Sequence, residues 1–185
     1  MDVAMLERAV EATEQVVAGV SPEDFDSATP CTEWSVRDLL NHLIGSYETI
    51  GGAMGAGIAN AAATDFTATD HVAAYRGAAK KAVAALSAPG ALERKFEMPW
   101  GETPGNVLLG LTIADTVVHG WDLAKGTAQD AMVDSELAEA VYGMTSSMME
   151  PQGSFPRGTW FGPPVEVPED APVQDKMLAY LGRQP

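Results

Sequence analysis

The chain has little cysteine and little positive charge, and each shortage excludes a class of structure or partner. Cys31 is the single cysteine among 185 residues, so no intramolecular disulfide can form, and a lone thiol fits a reducing compartment. A reduced cysteine is most often a small buried hydrophobe, which argues against Cys31 as a nucleophile. Eleven basic residues against 26 acidic ones give a net charge of −15, which repels phosphate backbones and anionic membrane surfaces. We therefore expect neither nucleic acid nor a membrane as a partner.

Targeting and cofactor-binding signatures are also missing from the sequence. No basic N-terminal region precedes an apolar core, and no apolar run of about 18 residues is without charge or glycine. We therefore expect a cytoplasmic protein. The sequence contains no P-loop, dinucleotide fingerprint or HExxH motif, which makes nucleotide-dependent chemistry and the metalloprotease pattern poor explanations.

The residues that are abundant favour helices. Hydrophobic residues make up 46% of the chain and charged residues 20%, as in an ordinary globular protein. Alanine-rich segments with few β-branched runs predict an all-α fold, and the length suits one domain over residues 1–185. Apolar residues at three-to-four spacing predict helices over about 3–20, from 36 to beyond 47, and over 70–86, 104–124, 135–148 and 173–182.

Two segments between these helices have a different pattern. Residues 93–105, "ERKFEMPWGETPG", are predicted to be extended for a few residues, with Thr103 and Pro104 as the cap and first position of the fourth helix. Residues 150–172 are rich in proline and glycine and predict a long C-terminal loop. Such a loop is usually functional or is pinned over the core by its aromatic residues, here Phe155, Trp160 and Phe161.

The fourth helix contains the strongest functional signal. Its sequence "LLGLTIADTVVHGWDLA" is apolar nearly all round, yet it includes Asp115 and, one turn later, His119. A carboxylate removed from water must be paired, protonated or bound to a metal. Spacing of four places the two side chains on one face, with Cβ atoms roughly 5–6 Å apart. With His42, at the edge of the apolar face of the second helix, they form the two-histidine, one-carboxylate set of catalytic zinc and non-haem iron sites.

The residues alone leave a second interpretation open. Asp115 could instead accept a hydrogen bond from Thr112 or pair with Arg37. Asp122 is either a carboxylate that orients a ligand histidine or a surface charge. The aromatic residues that could line a cavity beside the metal, or simply pack in the core, are Trp34, Trp100 and Trp121. His71, next to Asp70, is predicted to be solvated at the start of the third helix.

Three segments carry a family resemblance: "TPCTEWSVRDLLNHLIG", "ADTVVHGWDLAKGTAQ" and "WFGPPVEVPEDAPVQDKMLAYLGR". With them the chain resembles the actinobacterial mycothiol-dependent maleylpyruvate isomerase N-terminal-domain-like, metal-binding proteins of the DinB-like superfamily. The resemblance implies a DinB-like four-helix bundle with short accessory helices and a divalent metal, zinc or nickel. It assigns the metal ligands to His42, Asp115 and His119, with aspartate where better-known relatives have glutamate or histidine.

The resemblance also implies a class of chemistry. Relatives with known activity couple a low-molecular-weight thiol, such as mycothiol, to isomerisation or S-transfer. We therefore expect a metal-dependent, thiol-using transferase or isomerase whose partners are mycothiol, as co-substrate, and a small electrophile. Two alternatives are a metal-dependent hydrolase and a bundle that binds a metal or small ligand without turnover. A homodimer is a further expectation for such bundles.

Overall fold

The computed structural model describes residues 1–53, 64–149 and 161–185, and these residues are mostly helical. They form six α-helices and one two-stranded antiparallel sheet, which confirms the predicted all-α class. The helices are α1 Val3–Ala18, α2 Val36–Ala53, α3 His71–Leu86, α4 Gly105–Gly126, α5 Ser135–Met149 and α6 Val173–Tyr180, and the strands are β1 Lys95–Met98 and β2 Gly101–Pro104.

The described residues fall into two compact units, Met1–Asp130 and Ala131–Pro185. The prediction of one domain over 1–185 stays a prediction. In the first unit, α2 packs on α3, α1 packs on α3 and α4, and α2 also contacts α4. Leu6, Leu40 and Ile113, fully buried, mark the core enclosed by these helices.

Helix α4 is the most buried of the helices in the first unit. Along it, fifteen residues are buried, from Gly105 to Ala124. Within the described part of the chain, α4 is the one helix long and apolar enough to cross a bilayer, but 78% of its most apolar window lies inside the protein. A core helix passes the same test of length and composition, so the hydropathy of α4 is explained by its burial.

Side-chain caps define where two predicted helices begin. The backbone N–H of Ser35 donates to Asp38 (2.9 Å), and the N–H of Asp38 lies 3.3 Å from the Ser35 hydroxyl, a reciprocal pair at the start of α2. Asp70 accepts a hydrogen bond from the N–H of Ala73 (2.9 Å) and caps α3. The cap at Ser35 and the start of the third helix are therefore confirmed.

The predicted start of the fourth helix is wrong. Thr103 belongs to β2, where it pairs with Phe96, and Pro104 precedes the helix without a side-chain cap. The helix begins at Gly105, where a side chain would collide with the carbonyl group of Ala91. Strand pairing across the hairpin therefore uses the residues that local sequence rules would assign to a helix cap.

In the second unit, α5 and α6 pack against each other. The predicted docking stripe of α6 is confirmed, because Met177, Leu178 and Leu181 are fully buried. Residues 161–172 contain no helix or strand. The rest of the predicted loop, including Phe155 and Trp160, lies outside the described residues.

Candidate metal centre

Helices α2 and α4 bring the three predicted ligands together. Nε2 of His42 lies 3.0 Å from Oδ1 of Asp115, and Nε2 of His119 lies 3.4 Å from the same oxygen. The two imidazole rings are nearly perpendicular, with centroids 4.9 Å apart. The side chains of His42, Asp115 and His119 are 30%, 29% and 12% exposed, so the cluster is shielded yet reachable from solvent.

The position of His42 follows from the packing of α2. Leu39 and Leu43, on either side of it along the helix, are fully buried and fix the face that α2 turns to the core. His42 lies at the edge of that face, where its ring reaches Asp115 on α4. Ser46, one turn further along α2, lies close enough to Asp115 to help lower the pKa of its carboxyl. Two residues of α2 therefore face one carboxylate of α4.

The second nitrogen of His119 is held by another carboxylate. Nδ1 of His119 lies 3.0 Å from Oδ2 of Asp122, whose side chain is fully buried. Asp122 is therefore not a surface charge. An Nδ1–H that donates to Asp122 leaves the Nε2 lone pair facing Asp115. A lone pair opposite a carboxylate oxygen is favourable only if a second proton or a cation lies between them, which is the electrostatic requirement of a metal site.

The ion pair between His42 and Asp115 shifts the pKa of both groups. Burial alone would raise the pKa of the Asp115 carboxyl, but the charge and hydrogen bond of His42, with smaller contributions from His119 and Ser46, hold it below its ordinary value of 3.8. Burial alone would lower the pKa of His42, but Asp115 raises it above its ordinary value of 6.5. Each group thus favours the charged form of the other.

The two alternative partners of Asp115 have other contacts. The hydroxyl of Thr112 donates to the carbonyl of Leu108 (2.7 Å), one turn back along α4. Arg37 donates a hydrogen bond to the hydroxyl of Thr67 at 2.7 Å and faces the carboxylates of Asp26 and Asp65 at 3.4 and 3.7 Å. The interpretation in which Thr112 or Arg37 satisfies Asp115 is therefore wrong, and neither residue joins the cluster.

Of the three tryptophans considered above, Trp34 lies against the ligands. Its ring centroid is 4.5 Å from that of His42 and 5.6 Å from that of His119. Trp100 lies in the β-hairpin turn, is 49% exposed, and donates from Nε1 to the hydroxyl of Thr103. Trp121 is 3% exposed, with the ammonium of Lys125 over its ring. Trp34 therefore forms an aromatic wall of the centre.

His71 stays apart from the centre and is not the solvated residue that its sequence context predicts. Its ring packs edge-on against Phe25, with centroids 5.5 Å apart. Nε2 of His71 is buried and has no hydrogen-bond partner among the residues that the structure describes. Tertiary packing of the helix start against Phe25, which the local sequence does not encode, accounts for the difference.

Cys31 is a neighbour of the centre that the sequence interpretation missed. Its sulfur, a ring nitrogen of His119 and a carboxylate oxygen of Asp122 all lie within 4.8 Å of one another. The hydroxyl of Thr29 fixes this loop, because it accepts from the N–H of Cys31 (3.2 Å) and lies 2.8 Å from the carbonyl of Trp34. The threonine two residues before Cys31 was a local signal for this turn, but nothing local indicated its neighbours on α4.

The two groups of potential ligands share His119, and they fit a metal unequally. Metal–ligand bonds of about 2.0–2.1 Å in a tetrahedral site separate the ligand atoms by roughly 3.3 Å. The separations of 3.0 and 3.4 Å around Asp115 are close to that value. In the group with Cys31, Nδ1 of His119 is already engaged in a hydrogen bond with Asp122. The candidate metal centre is therefore His42, Asp115 and His119, with Asp122 orienting His119.

Residues 6–124 match the family described as the mycothiol maleylpyruvate isomerase N-terminal domain, and this segment includes all three candidate ligands. Two Mycobacterium tuberculosis proteins, uncharacterized protein Rv0738 of strain H37Rv and uncharacterized protein MT0763 of strain CDC 1551, are similar over nearly their whole length. Each is 34% identical to this chain over 177 residues, which cover 96% of the chain and 94% of the relative. No solved structure shows a significant match. On these similarities the chain belongs to the family of mycothiol maleylpyruvate isomerase N-terminal domains.

Proposed function

We propose that His42, Asp115 and His119 hold a divalent metal ion, zinc or nickel, and that the protein is a thiol-dependent S-transferase or isomerase. The thiol would be of the mycothiol type and the second substrate a small electrophile. The observation that carries the proposal is the approach of two histidine nitrogens to one carboxylate oxygen, at 3.0 and 3.4 Å. The name of the family supports the choice of thiol.

The donor set suits such an ion. Two neutral imidazoles and one carboxylate leave a divalent ion with a net positive charge and leave room in its coordination shell for a substrate. Since the lone pair of His119 Nε2 and the charge of Asp115 face each other, a cation between them would relieve an unfavourable contact. Asp115, with its shorter side chain, replaces the glutamate or histidine of better-known relatives without loss of a donor.

Each residue of the centre would have a separate task in the reaction. The three ligands bind the ion, while Asp122 keeps the Nε2 lone pair of His119 available through its contact with Nδ1. Trp34 packs against both imidazole rings, which restricts their rotation and excludes water from one side of the centre. The bound ion would supply a positive charge that keeps a coordinated thiol deprotonated near neutral pH and polarises an electrophilic oxygen.

The first test is the metal content of untagged protein after chelation and reconstitution. We expect close to one zinc or nickel ion per chain in the wild type, and loss of that ion in His42→Ala and Asp115→Ala. His71→Ala is the matched control, because it removes a histidine outside the centre and should keep the ion. A well-folded wild type that takes up no metal would overturn the proposal.

The second test separates the thiol-dependent enzyme from its alternatives. Calorimetric titration of the metal-loaded protein with mycothiol should show binding that the metal-free protein lacks, and mycothiol should be consumed with a panel of small electrophiles. Hydrolysis of esters or amides without added thiol would favour the hydrolase. Metal binding without either activity would support the remaining alternative, a bundle that binds a metal or small ligand without turnover.

Several finer predictions belong with this proposal. We infer that α1 to α4 form the DinB-like four-helix bundle, which their mutual contacts support. A single cooperative unfolding transition would support one domain over 1–185. The homodimer can be checked by light scattering and the cytoplasmic location by cell fractionation.

A further inference from the structure

We propose that Tyr47 is a positioning residue for Asp115, acting through Thr116. The inference rests on the proposed metal centre and adds to it a residue that does not touch the ligands. It assigns a task to one contact of a buried hydrogen-bond network, the contact between Tyr47 and Thr116, which the proposed chemistry does not use. That network lies one residue further along both α2 and α4 than the contact between Ser46 and Asp115.

The contact between Tyr47 and Thr116 is short and fully enclosed. The phenol oxygen of Tyr47 lies 2.6 Å from the hydroxyl of Thr116, and the two residues are 1% and 0% exposed. Thr116 directly follows Asp115 on α4, and Ser46, which faces Asp115, directly precedes Tyr47 on α2. Adjacent residues of α2 therefore face adjacent residues of α4.

The direction of the hydrogen bond between Tyr47 and Thr116 is fixed by the other bond of Thr116. Thr116 uses its hydroxyl hydrogen on the carbonyl of Thr112 (2.8 Å), so it must accept from Tyr47. The one hydroxyl hydrogen of Tyr75 has two acceptors at 3.2 Å, the oxygen of Tyr47 and the carbonyl of Val10 on α1. Each hydroxyl has a partner, so the network is satisfied without water.

The network joins four helices at the level of the ligand-bearing turn. Tyr47 belongs to α2, Tyr75 to α3 and Thr116 to α4. Thr13 of α1 closes the set, because its hydroxyl donates to the backbone carbonyl of Thr116 at 3.2 Å. Both the side chain and the backbone of Thr116 are thus tied to other helices. Asp115, the neighbouring residue on the same turn, is therefore held in position as well.

Metal ligands need such support. A ligand constellation functions when its atoms are held within about 0.5 Å of the productive geometry, and removing an outer partner typically weakens metal binding by about 10–100-fold. Tyr47→Phe keeps the ring and its packing but leaves the oxygen of Thr116 without its donor. The turn that carries Asp115 then loses one of the contacts that fix it against α2, where His42 lies.

The experiment compares two tyrosines of equal burial. Tyr47→Phe removes the hydroxyl that contacts α4, whereas Tyr75→Phe removes one whose contacts described above go to α1 and α2. Thr116→Val and Thr116→Ser form a second pair, since only serine keeps the accepting oxygen. For each protein we would measure zinc affinity by competition with a chromogenic chelator, well below its Tm. The visible absorption spectrum of the cobalt-substituted form reports ligand geometry independently of stability.

We expect Tyr47→Phe and Thr116→Val to weaken zinc binding about 10-fold and to shift the cobalt spectrum. Tyr75→Phe and Thr116→Ser should remain close to the wild type in both readouts, whatever their Tm. Unchanged affinity and spectrum in Tyr47→Phe would overturn the inference while leaving the metal centre intact. Equal losses in the two tyrosine variants would also overturn it, as general loosening of the core. A wild type that binds no zinc or cobalt would overturn the metal centre itself.

Discussion

Two polar clusters lie side by side between α2 and α4, and they are built in opposite ways. The first, His42, Asp115 and His119, is titratable and 12–30% exposed. The second is neutral, and its members Tyr47, Tyr75 and Thr116 are at most 1% exposed. A hydroxyl both donates and accepts, so a buried hydroxyl cluster can satisfy itself. A cluster of imidazoles and a carboxylate needs a proton or a cation from outside. The hydroxyl cluster can therefore stabilise the fold by itself, whereas the cluster of His42, Asp115 and His119 is suited to bind a cation.

The largest effect should come from removing the charge of the first cluster without changing its shape. Asp115→Asn should weaken zinc affinity by roughly 100-fold or more, because an amide oxygen is a neutral and poorer ligand than a carboxylate. Asp130→Asn, at an exposed position in the same unit, is the control and should bind like the wild type. Chelator competition measures both. Similar affinities for the two variants would show that Asp115 is not a ligand.

A smaller loss is expected when the support of His119 is changed. Asp122→Asn should weaken zinc affinity about 10–100-fold, because an amide no longer enforces the tautomer that leaves Nε2 as the ligand atom. Proton NMR of the ring nitrogens in the zinc form should show an Nδ1–H signal in the wild type that shifts in the variant. If Asp122→Asn leaves both the affinity and the signal unchanged, Asp122 does not orient His119.

The sequence predicted the parts of the centre that depend on one helix at a time. The spacing of Asp115 and His119 fixes their common face, and the apolar residues of α2 leave His42 at the edge of its buried face. The predicted start of the fourth helix was wrong because Thr103 pairs with Phe96 across the hairpin, and local propensity does not encode such pairing.

The parts that the sequence did not predict depend on residues far apart in the chain. Cys31 lies close to His119 although 88 positions separate them in the sequence, and Tyr47 contacts Thr116 although 69 positions separate them. A free cysteine most often packs as a small hydrophobe, and Tyr47 lies on the apolar face of its helix, so neither residue gives a local signal of function. Ser46 was not predicted either, although its spacing of four from His42 places it on the same face of α2.

The close packing behind the second cluster should respond to a single methyl group. A Cβ at Gly120 would lie 2.5 Å from the hydroxyl oxygen of Thr13, which is buried and bonded to Thr116. Gly120→Ala should therefore lower the free energy of unfolding by about 1–3 kcal/mol. Gly77→Ala, on α3 with no neighbour within 4 Å, should raise it by about 0.5–1 kcal/mol. Urea unfolding measures both, and equal effects would contradict this packing.

The smallest predicted effect is a pH dependence of the free energy of unfolding in the metal-free protein, which only the titratable cluster should show. The pKa of Asp115 lies below 3.8 and that of His42 above 6.5, so their pairing stabilises the fold fully between those two values. Below pH 3.8 the contribution is lost as Asp115 is protonated through its lowered pKa. Above pH 6.5 it is lost as His42 deprotonates through its raised pKa.

Wild type should therefore exceed His42→Gln in unfolding free energy by about 1 kcal/mol near pH 5, and by less at pH 8.5. The difference between wild type and Tyr47→Phe should stay constant between pH 5 and pH 8.5. The ordinary pKa of tyrosine already lies above this range, and burial raises the pKa values of Tyr47 and Tyr75 further. Urea titrations at several pH values measure both differences. A constant difference for His42→Gln would show that the ion pair with Asp115 does not form without metal. The titratable cluster would then depend on its cation for structure as well as for function, whereas the hydroxyl cluster depends on none.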